Sequence, residues 1–268
     1  MRTRPIITLT TDFGTTDHYV GALKGSILSV TTDPILVDIT HEIPPHDVRA
    51  AAWVLARAVP AFPRRTIHIC VTDPTVGTAR KPLLIVTDDH YLIGPDNGIF
   101  SFVLETSPPS SIVHLTAPHY MKEPVSATFH ARDIFGPVAA HLTRGVDPLN
   151  FGETLDTCVR LDLPRPSLTP QRSVRASVVH VDRFGNVILN VTRKGLEALM
   201  GPGAGGFAAV AGATRIETMV ATYGDAPAAA PVLLYNSSGF LEIAASRARA
   251  SEMLGLSTGD IVDVVPRG

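Results

Sequence analysis

Ile6-Ile7-Thr8-Leu9-Thr10-Thr11-Asp12-Phe13-Gly14 is a run of aliphatic and β-branched residues that stops at an aspartate, an aromatic residue and a glycine. Such a run predicts a buried strand ending in a polar loop. Thr66-Ile67-His68-Ile69-Cys70-Val71 repeats the plan and stops at Thr72-Asp73-Pro74. Between them lie a helical pattern over 17–30, a strand over 35–39 and a helix over 47–59. Asp47 is placed to cap that helix and Pro60 to end it. Further on, 83–87 and 91–93 flank Asp88-Asp89-His90 as a hairpin, and 97–104, 111–115 and 133–142 read as helix, strand and helix. Strands alternating with helices predict an α/β domain with a mostly parallel sheet. In such sheets ligands gather beyond the carboxyl ends of the strands. Asp12 and Asp73 each follow a strand, so they are expected to face one cleft.

The texture changes at Leu163-Pro164-Arg165-Pro166-Ser167-Leu168-Thr169-Pro170, which reads as an extended linker. Beyond it come short β runs at 176–181, 187–191, 207–210, 232–235, 241–244 and 261–265, separated by Gly, Asp and Asn. They predict a smaller antiparallel, barrel-like domain. The expected organisation is therefore 1–163, a linker over 164–173, and 174–268. The glycine-rich stretch Gly201-Pro202-Gly203-Ala204-Gly205-Gly206 falls in the β half and reads as a loop.

Composition excludes several classes. The chain has 268 residues, 45% hydrophobic and 18% charged, so it carries ample material for a core and is not disordered. Lys plus Arg is 23 and Asp plus Glu is 25, a balance that offers no footprint for nucleic acid or an anionic membrane. No apolar stretch is long enough to span a membrane. The two cysteines, Cys70 and Cys158, make no disulfide framework, and the first five residues lead into a strand rather than a secretory leader. A cytoplasmic protein is expected.

Six stretches carry candidate chemistry. Asp12 caps the next helix or accepts hydrogen bonds from a diol such as ribose. Asp73, seven residues before Arg80, forms an ion pair that braces a loop or holds a catalytic carboxylate ionised. Gly94-Pro95-Asp96-Asn97-Gly98 is turn chemistry that can wall a pocket. His130, in Thr128-Phe129-His130-Ala131-Arg132-Asp133, is a structural histidine or the titratable partner of Asp73, with Asp133 capping the following helix. Asp182-Arg183-Phe184-Gly185-Asn186 is a hairpin turn in which Asn186 can read an adenine edge. Asn236-Ser237-Ser238 is a turn or a polar wall. Zinc signatures, a phosphate-binding loop, a nucleophile elbow and a dinucleotide fingerprint are all absent from the sequence.

Taken in order, the motifs resemble one family. Thr-Asp-Phe-Gly with Tyr19-Val20-Gly21 and Lys24-Gly25, Asp-Pro-x-Val-Gly-Thr-x-Arg, the turn over 94–98, Thr-Phe-His-x-Arg-Asp, Asp-x-Phe-Gly-Asn and Gly-x-Leu-Glu-Ile-Ala together resemble the S-adenosyl-L-methionine hydroxide adenosyltransferases, relatives of the SAM-dependent chlorinases and the fluorinase. The resemblance runs from about Ile6 to Val265. It implies a hydrolase that cleaves S-adenosylmethionine (SAM) with water to adenosine and methionine, without metal or cofactor. It implies a homotrimer with the ligand between the N-terminal domain of one subunit and the C-terminal domain of the next. It places the catalytic set on Asp73, Arg80 and His130 and the ribose carboxylate on Asp12. The adenine side falls on Asp182, Phe184 and Asn186, and the methionine end on Asn236, Ser237 and Ser238. The fluorinase carries a tyrosine where Asp73 stands and an inserted loop for which 80–94 has no room, so water rather than halide is expected. The chain departs from the family at Thr75, usually Gly, and over 245–250, where relatives show Asn and a Gly-Ser pair. His46 also stands where relatives differ.

Two other readings follow from the same residues. One is a nucleoside- or SAM-binding sensor without turnover. The other is a hydrolase holding Mg²⁺ or Mn²⁺ on Asp12, Asp73, His130 and Asp133.

Overall fold

The computed structural model describes residues 4–201 and 206–267, so the middle of the glycine-rich 201–206 loop lies outside the described residues. The chain divides into two compact units, Met1–Leu161 and Asp162–Gly268.

The first unit is an α/β layer structure. Its strands are β1 (Ile6–Thr11), β2 (Ile35–Thr40), β3 (Ile67–Val71), β4 (Pro82–Thr87), β5 (Tyr91–Pro95), β6 (Pro109–Leu115) and β7 (Gly152–Thr154). Helices α1 (Tyr19–Val30), α2 (Val48–Ala58), α3 (Ser101–Thr106) and α4 (Gly136–Thr143) connect them. Strand order in the seven-stranded sheet is β2-β1-β3-β5-β4-β6-β7. The β1–β2, β1–β3 and β3–β5 pairs are parallel. The 88–90 turn makes β4–β5 antiparallel, and β6 and β7 continue in that sense. The parallel half therefore has crossover helices and a single carboxyl-end edge, and it is the half that carries the site.

Register fixes that edge. Thr11 pairs with Val71 across β1 and β3, so both strands end at the same level and release Asp12 and Asp73 side by side. Every residue of β3 is buried, as a strand covered on both faces requires. Asp47 caps α2 by accepting from the Ala50 N–H at 2.8 Å. The core beneath the edge joins Ile7, Leu9 and Ile69 to Leu23 and Ile27 of α1 and Phe135 and Val138 near α4.

Two expected helices start differently. The 97–100 segment is a turn, and α3 begins only at Ser101, whose hydroxyl donates to the Gly98 carbonyl at 2.6 Å. The helix expected from Asp133 begins earlier, as a five-residue π-helix, Ala131–Phe135, that passes into α4. Asp133 lies inside that π-turn and is fully buried, so it does not cap a helix.

The second unit is an antiparallel sheet ordered β12-β11-β15-β9-β10-β14-β13, with β8 attached to β9. Its strands are β8 (Ser167–Leu168), β9 (Val174–Val181), β10 (Val187–Thr192), β11 (Phe207–Ala211), β12 (Thr214–Ile216), β13 (Pro231–Tyr235), β14 (Phe240–Ala245) and β15 (Ile261–Pro266). The sheet curls into a nearly closed, barrel-like form around Val178, Leu189, Leu233, Ile243 and Val262. Two helices that the β-rich pattern hid, α5 (Arg193–Met200) and α6 (Ala250–Leu254), are built into it. Thr192 starts α5 by accepting from the Gly195 N–H at 3.1 Å.

Candidate active site

The carboxyl edge of β1 and β3 opens on a cavity of about 310 Å³ lined by Asp12, His46, Asp73, Phe129 and His130 among others. The structure thus brings Asp12, Asp73 and His130 together.

Asp73 is gripped by Arg80. The guanidinium Nε lies 3.0 Å from Asp73 Oδ1 and 2.9 Å from Oδ2, and Nη2 also donates to Oδ2. Both side chains are 6% exposed, which lifts the pair well above a solvated surface salt bridge. The Thr75 hydroxyl donates to Asp73 Oδ1 at 3.3 Å, so this departure from the family pattern is built into the carboxylate's own shell. Asn97 Nδ2 donates to the Thr72 carbonyl at 2.8 Å. The turn over 94–98 therefore braces the strand end from behind and does not wall the cavity.

His130 meets Arg80 and not Asp73. Arg80 Nη2 lies 2.8 Å from His130 Nδ1. Arginine can only donate, so Nδ1 accepts and the ring proton sits on Nε2. Burial first, and then the Arg80 charge, pull the His130 pKa below its ordinary value, which favours the same neutral ring. The Arg80 guanidinium also lies 5.6 Å from the centre of the Phe135 ring. Arg80 is the hub of the cluster.

The segment before His130 is fastened from within the π-turn. The Asp133 carboxylate takes Arg132 Nε at 2.6 Å, Arg132 Nη2 at 2.8 Å and the Ser126 N–H at 2.9 Å. Burial alone raises its pKa, but Arg132, Ser126 and Lys122 outweigh that and hold it below the usual carboxylate range. These bonds occupy Asp133 as an anchor. Gly77, at φ +77, packs against this segment, and a side-chain carbon there would collide with the Ala127 carbonyl oxygen.

Asp12 does not cap α1, whose N-cap is His18. Its Oδ2 accepts the His46 N–H at 2.9 Å, and His46 holds a left-handed φ of 69°. A non-glycine residue in that region stores strain of the kind that collects at functional sites. Phe129 packs edge to face against both Phe13 and Tyr19 beside it, and Phe13 and Tyr19 are tilted to each other, with centroids 5.3–6.0 Å apart.

A second cavity, about 640 Å³, belongs to the second unit and is lined by Asp182, Phe184, Asn186, Tyr223 and the 245–249 stretch, among others. Asp182 Oδ1 accepts the Phe184 and Asn186 N–H groups, and Oδ2 accepts Asn186 Nδ2, all at 2.9 Å. The Asn186 carbonyl in turn accepts the Asp182 N–H at 3.0 Å, and the ordered turn holds Phe184 75% exposed. Gly185, at φ +83, packs under Arg249, which donates from Nη1 to the Arg183 carbonyl at 2.7 Å. The atypical 245–250 stretch thus supports the turn. Asn236 Oδ1 accepts the Ser238 and Phe240 N–H groups at 3.0 and 3.1 Å, and the 236–238 turn does not line this cavity.

Sequence reasoning missed two partners here. Tyr223 lines the cavity, and its hydroxyl donates to Glu242 Oε1 at 2.8 Å. Burial raises the pKa of Glu242, opposed by hydrogen bonds with Tyr223 and Asn236. Tyr223 lies in a Gly/Ala-rich stretch without pattern, and only its pairing with a buried acid could have marked it. Among the described residues, no group of three or more His, Cys, Asp or Glu side chains is gathered as a metal cage needs. No helix there is long and apolar enough to cross a membrane.

Residues 7–152 match the SAM hydroxide adenosyltransferase N-terminal domain, and 176–263 match its C-terminal domain. The (R)-S-adenosyl-L-methionine hydrolase of Thermus thermophilus is 37% identical over 265 residues, covering 96% of this chain and 97% of its own. That of Salinispora arenicola is 35% identical over 262 residues, covering 97% of each. A crystal structure of a conserved protein from Thermotoga maritima superposes with a TM-score of 0.89 at 33% identity, over 97% of this chain and 99% of that one. A match that spans both units and nearly every residue places this chain in the SAM hydroxide adenosyltransferase family.

Proposed function

We propose that the protein hydrolyses S-adenosyl-L-methionine at ribose C5′, giving adenosine and L-methionine. The observation that carries this is the cavity that presents Asp12, Asp73 and His130 together, with Arg80 joining the last two. The printed names of the full-length relatives point to the same substrate.

The chemistry follows from the sulfonium. A cationic sulfur already makes C5′ electrophilic, so the enzyme has to hold a water in line with the C–S bond. Asp73 orients that water and accepts its proton as the oxygen attacks. The C–S electron pair returns to sulfur, leaving neutral methionine thioether, and the proton passes to solvent. Arg80 keeps Asp73 fixed, and with His130 stabilises hydroxide character on the attacking oxygen. Asp12 accepts hydrogen bonds from the ribose diol. Asp182, Phe184 and Asn186 take the adenine side, and Asn236, Ser237 and Ser238 the methionine end. The leaving group needs no Lewis acid, so the reaction is metal-independent in this reading.

The resemblance also supports a homotrimer, with each site completed by two subunits. The wide exposure of Phe184 beside its cavity suits a surface covered by a ligand and a neighbour. Cys70 and Cys158 are both free, which suits a reducing cytoplasm.

The test is to incubate the purified protein with SAM in EDTA and to separate the products by liquid chromatography. Adenosine and methionine appearing together, and lost in Asp73→Asn, support the proposal. Intact SAM with tight adenosine binding gives the sensor instead, and activity abolished by EDTA gives the metal enzyme.

A further inference from the structure

The loop that carries Asp12 is held by a chain of side chains that starts at partly exposed Lys24 and Asp38. Thr11 Oγ1 accepts the Phe13 N–H at 3.2 Å, so its own hydrogen is free to donate. His41 Nδ1 receives it at 2.8 Å. The other ring nitrogen, Nε2, stands 3.1 Å from Asp38 Oδ1, at ion-pair distance though without hydrogen-bond alignment. Asp38 Oδ2 takes Lys24 Nζ of α1 at 2.6 Å. Partial burial raises the Asp38 pKa, but Lys24 and His41 outweigh it and keep the carboxyl below its ordinary range.

The backbone repeats the connection. The His41 carbonyl accepts the Gly14 N–H at 2.8 Å, and the Thr11 carbonyl accepts the Ile43 N–H at 3.4 Å. Five residues after His41, the His46 N–H reaches Asp12 itself. A bulge makes the chain possible. Leu9 pairs with Asp38 but Thr10 pairs with Thr40, so β2 carries an extra residue at this point. In a regular strand, residues three apart point to opposite faces; the extra residue returns Asp38 and His41 to one side. The His41 side chain is 4% exposed, and its contacts with Thr11 and Asp38 hold the imidazole at the strand end.

We propose that His41, braced by Asp38 and Lys24, is a positioning residue that sets the Asp12 carboxylate for the ribose diol through Thr11. The proposal rests on the reading of Asp12 as the ribose carboxylate. His41 then acts on substrate affinity and not on the chemical step.

A double-mutant cycle in the intact enzyme tests it. His41→Ala is expected to raise KM for SAM about tenfold and to change kcat less than about twofold. In an Asp12→Ala background the same change adds less than about twofold to KM, because the group it positions is gone. His41→Asn keeps an acceptor for Thr11 and restores most of the affinity, whereas His41→Leu does not. Equal effects of His41→Ala with and without Asp12, or equal KM for the Asn and Leu variants, overturn the proposal. If Asp12→Ala leaves KM unchanged, the ribose reading fails instead. Should His41→Ala not fold, Asp38→Asn, at a half-exposed position, is expected to raise KM about threefold, again only when Asp12 is present.

Discussion

Acid should unfasten the sheet that carries the site, and His68 is the reason. It lies in β3, fully buried, with Nδ1 2.7 Å from Thr8 Oγ1 and Nε2 without a hydrogen-bond partner among the described residues. The His90 ring stands edge to face with it at 5.0 Å and Phe62 at 5.5 Å. Burial above all, then the charge His90 acquires, pull the His68 pKa down to about 3. The unfolded chain protonates this ring near the ordinary value of about 6.5, so unfolding takes up a proton between those limits. Stability is then constant above the unfolded value and falls with pH by about 1.4 kcal/mol per unit below it. Between pH 7 and 4.5 the loss is roughly 2.5 kcal/mol, a large share of a typical domain's margin. His68→Leu removes the titration while filling the space. It forfeits one hydrogen bond, worth about 1 kcal/mol at pH 7, and gains in relative stability at every step downward. Trp53 is the sole tryptophan and is 4% exposed in α2, so its fluorescence reports denaturant unfolding of the first unit alone. Parallel stability-against-pH curves for wild type and His68→Leu would refute the reasoning.

Four further outcomes are expected. Asp73→Asn should lower kcat by about a thousandfold or more while adenosine affinity, measured by calorimetry, stays within about threefold. Activity should hold as pH falls from 7 and decline only below the ordinary imidazole value, because the lowered pKa of His130 keeps Nδ1 as the Arg80 acceptor; a decline that starts above that value contradicts the neutral-ring assignment. Gly77→Ala should cost about 2 kcal/mol or more, since it strains a left-handed residue and drives the 73–80 loop off the 127–130 segment, and thermal unfolding together with kcat will show both effects. Phe184→Ala should leave stability within about 0.5 kcal/mol but weaken adenosine binding about tenfold, the worth of one aromatic stack.

What was legible in the sequence was local. Two β-branched runs ending in aspartates placed Asp12 and Asp73 on one edge because parallel pairing needs only the strand patterns and a crossover helix. The turn over 182–186 was legible for the same reason, since its hydrogen bonds span four residues at most. Relations across the chain were not. That Arg80 stands between Asp73 and His130 depends on a separation of 50 residues, and that Tyr223 meets Glu242 depends on 19. The His41 chain hangs on a one-residue bulge that no periodicity announces. The π-turn at 131–135 was hidden because a helix pattern does not distinguish its two windings. Helices α5 and α6 were hidden by brevity, at eight and five residues amid strands.

The sharing of Arg80 sets the ionic balance at the first cavity. Asp12 and Asp73 contribute two negative charges, Arg80 one positive charge and the neutral His130 ring none, which leaves a single negative charge. In the proposed reaction a sulfonium substrate brings one positive charge beyond its zwitterionic amino-acid end, which offsets the formal charge of the first cavity. Hydrolysis destroys that charge: adenosine and zwitterionic methionine are both neutral, and the proton leaves to water. The attraction that draws the substrate in is absent for either product, so turnover itself loosens the site's hold on what it has made.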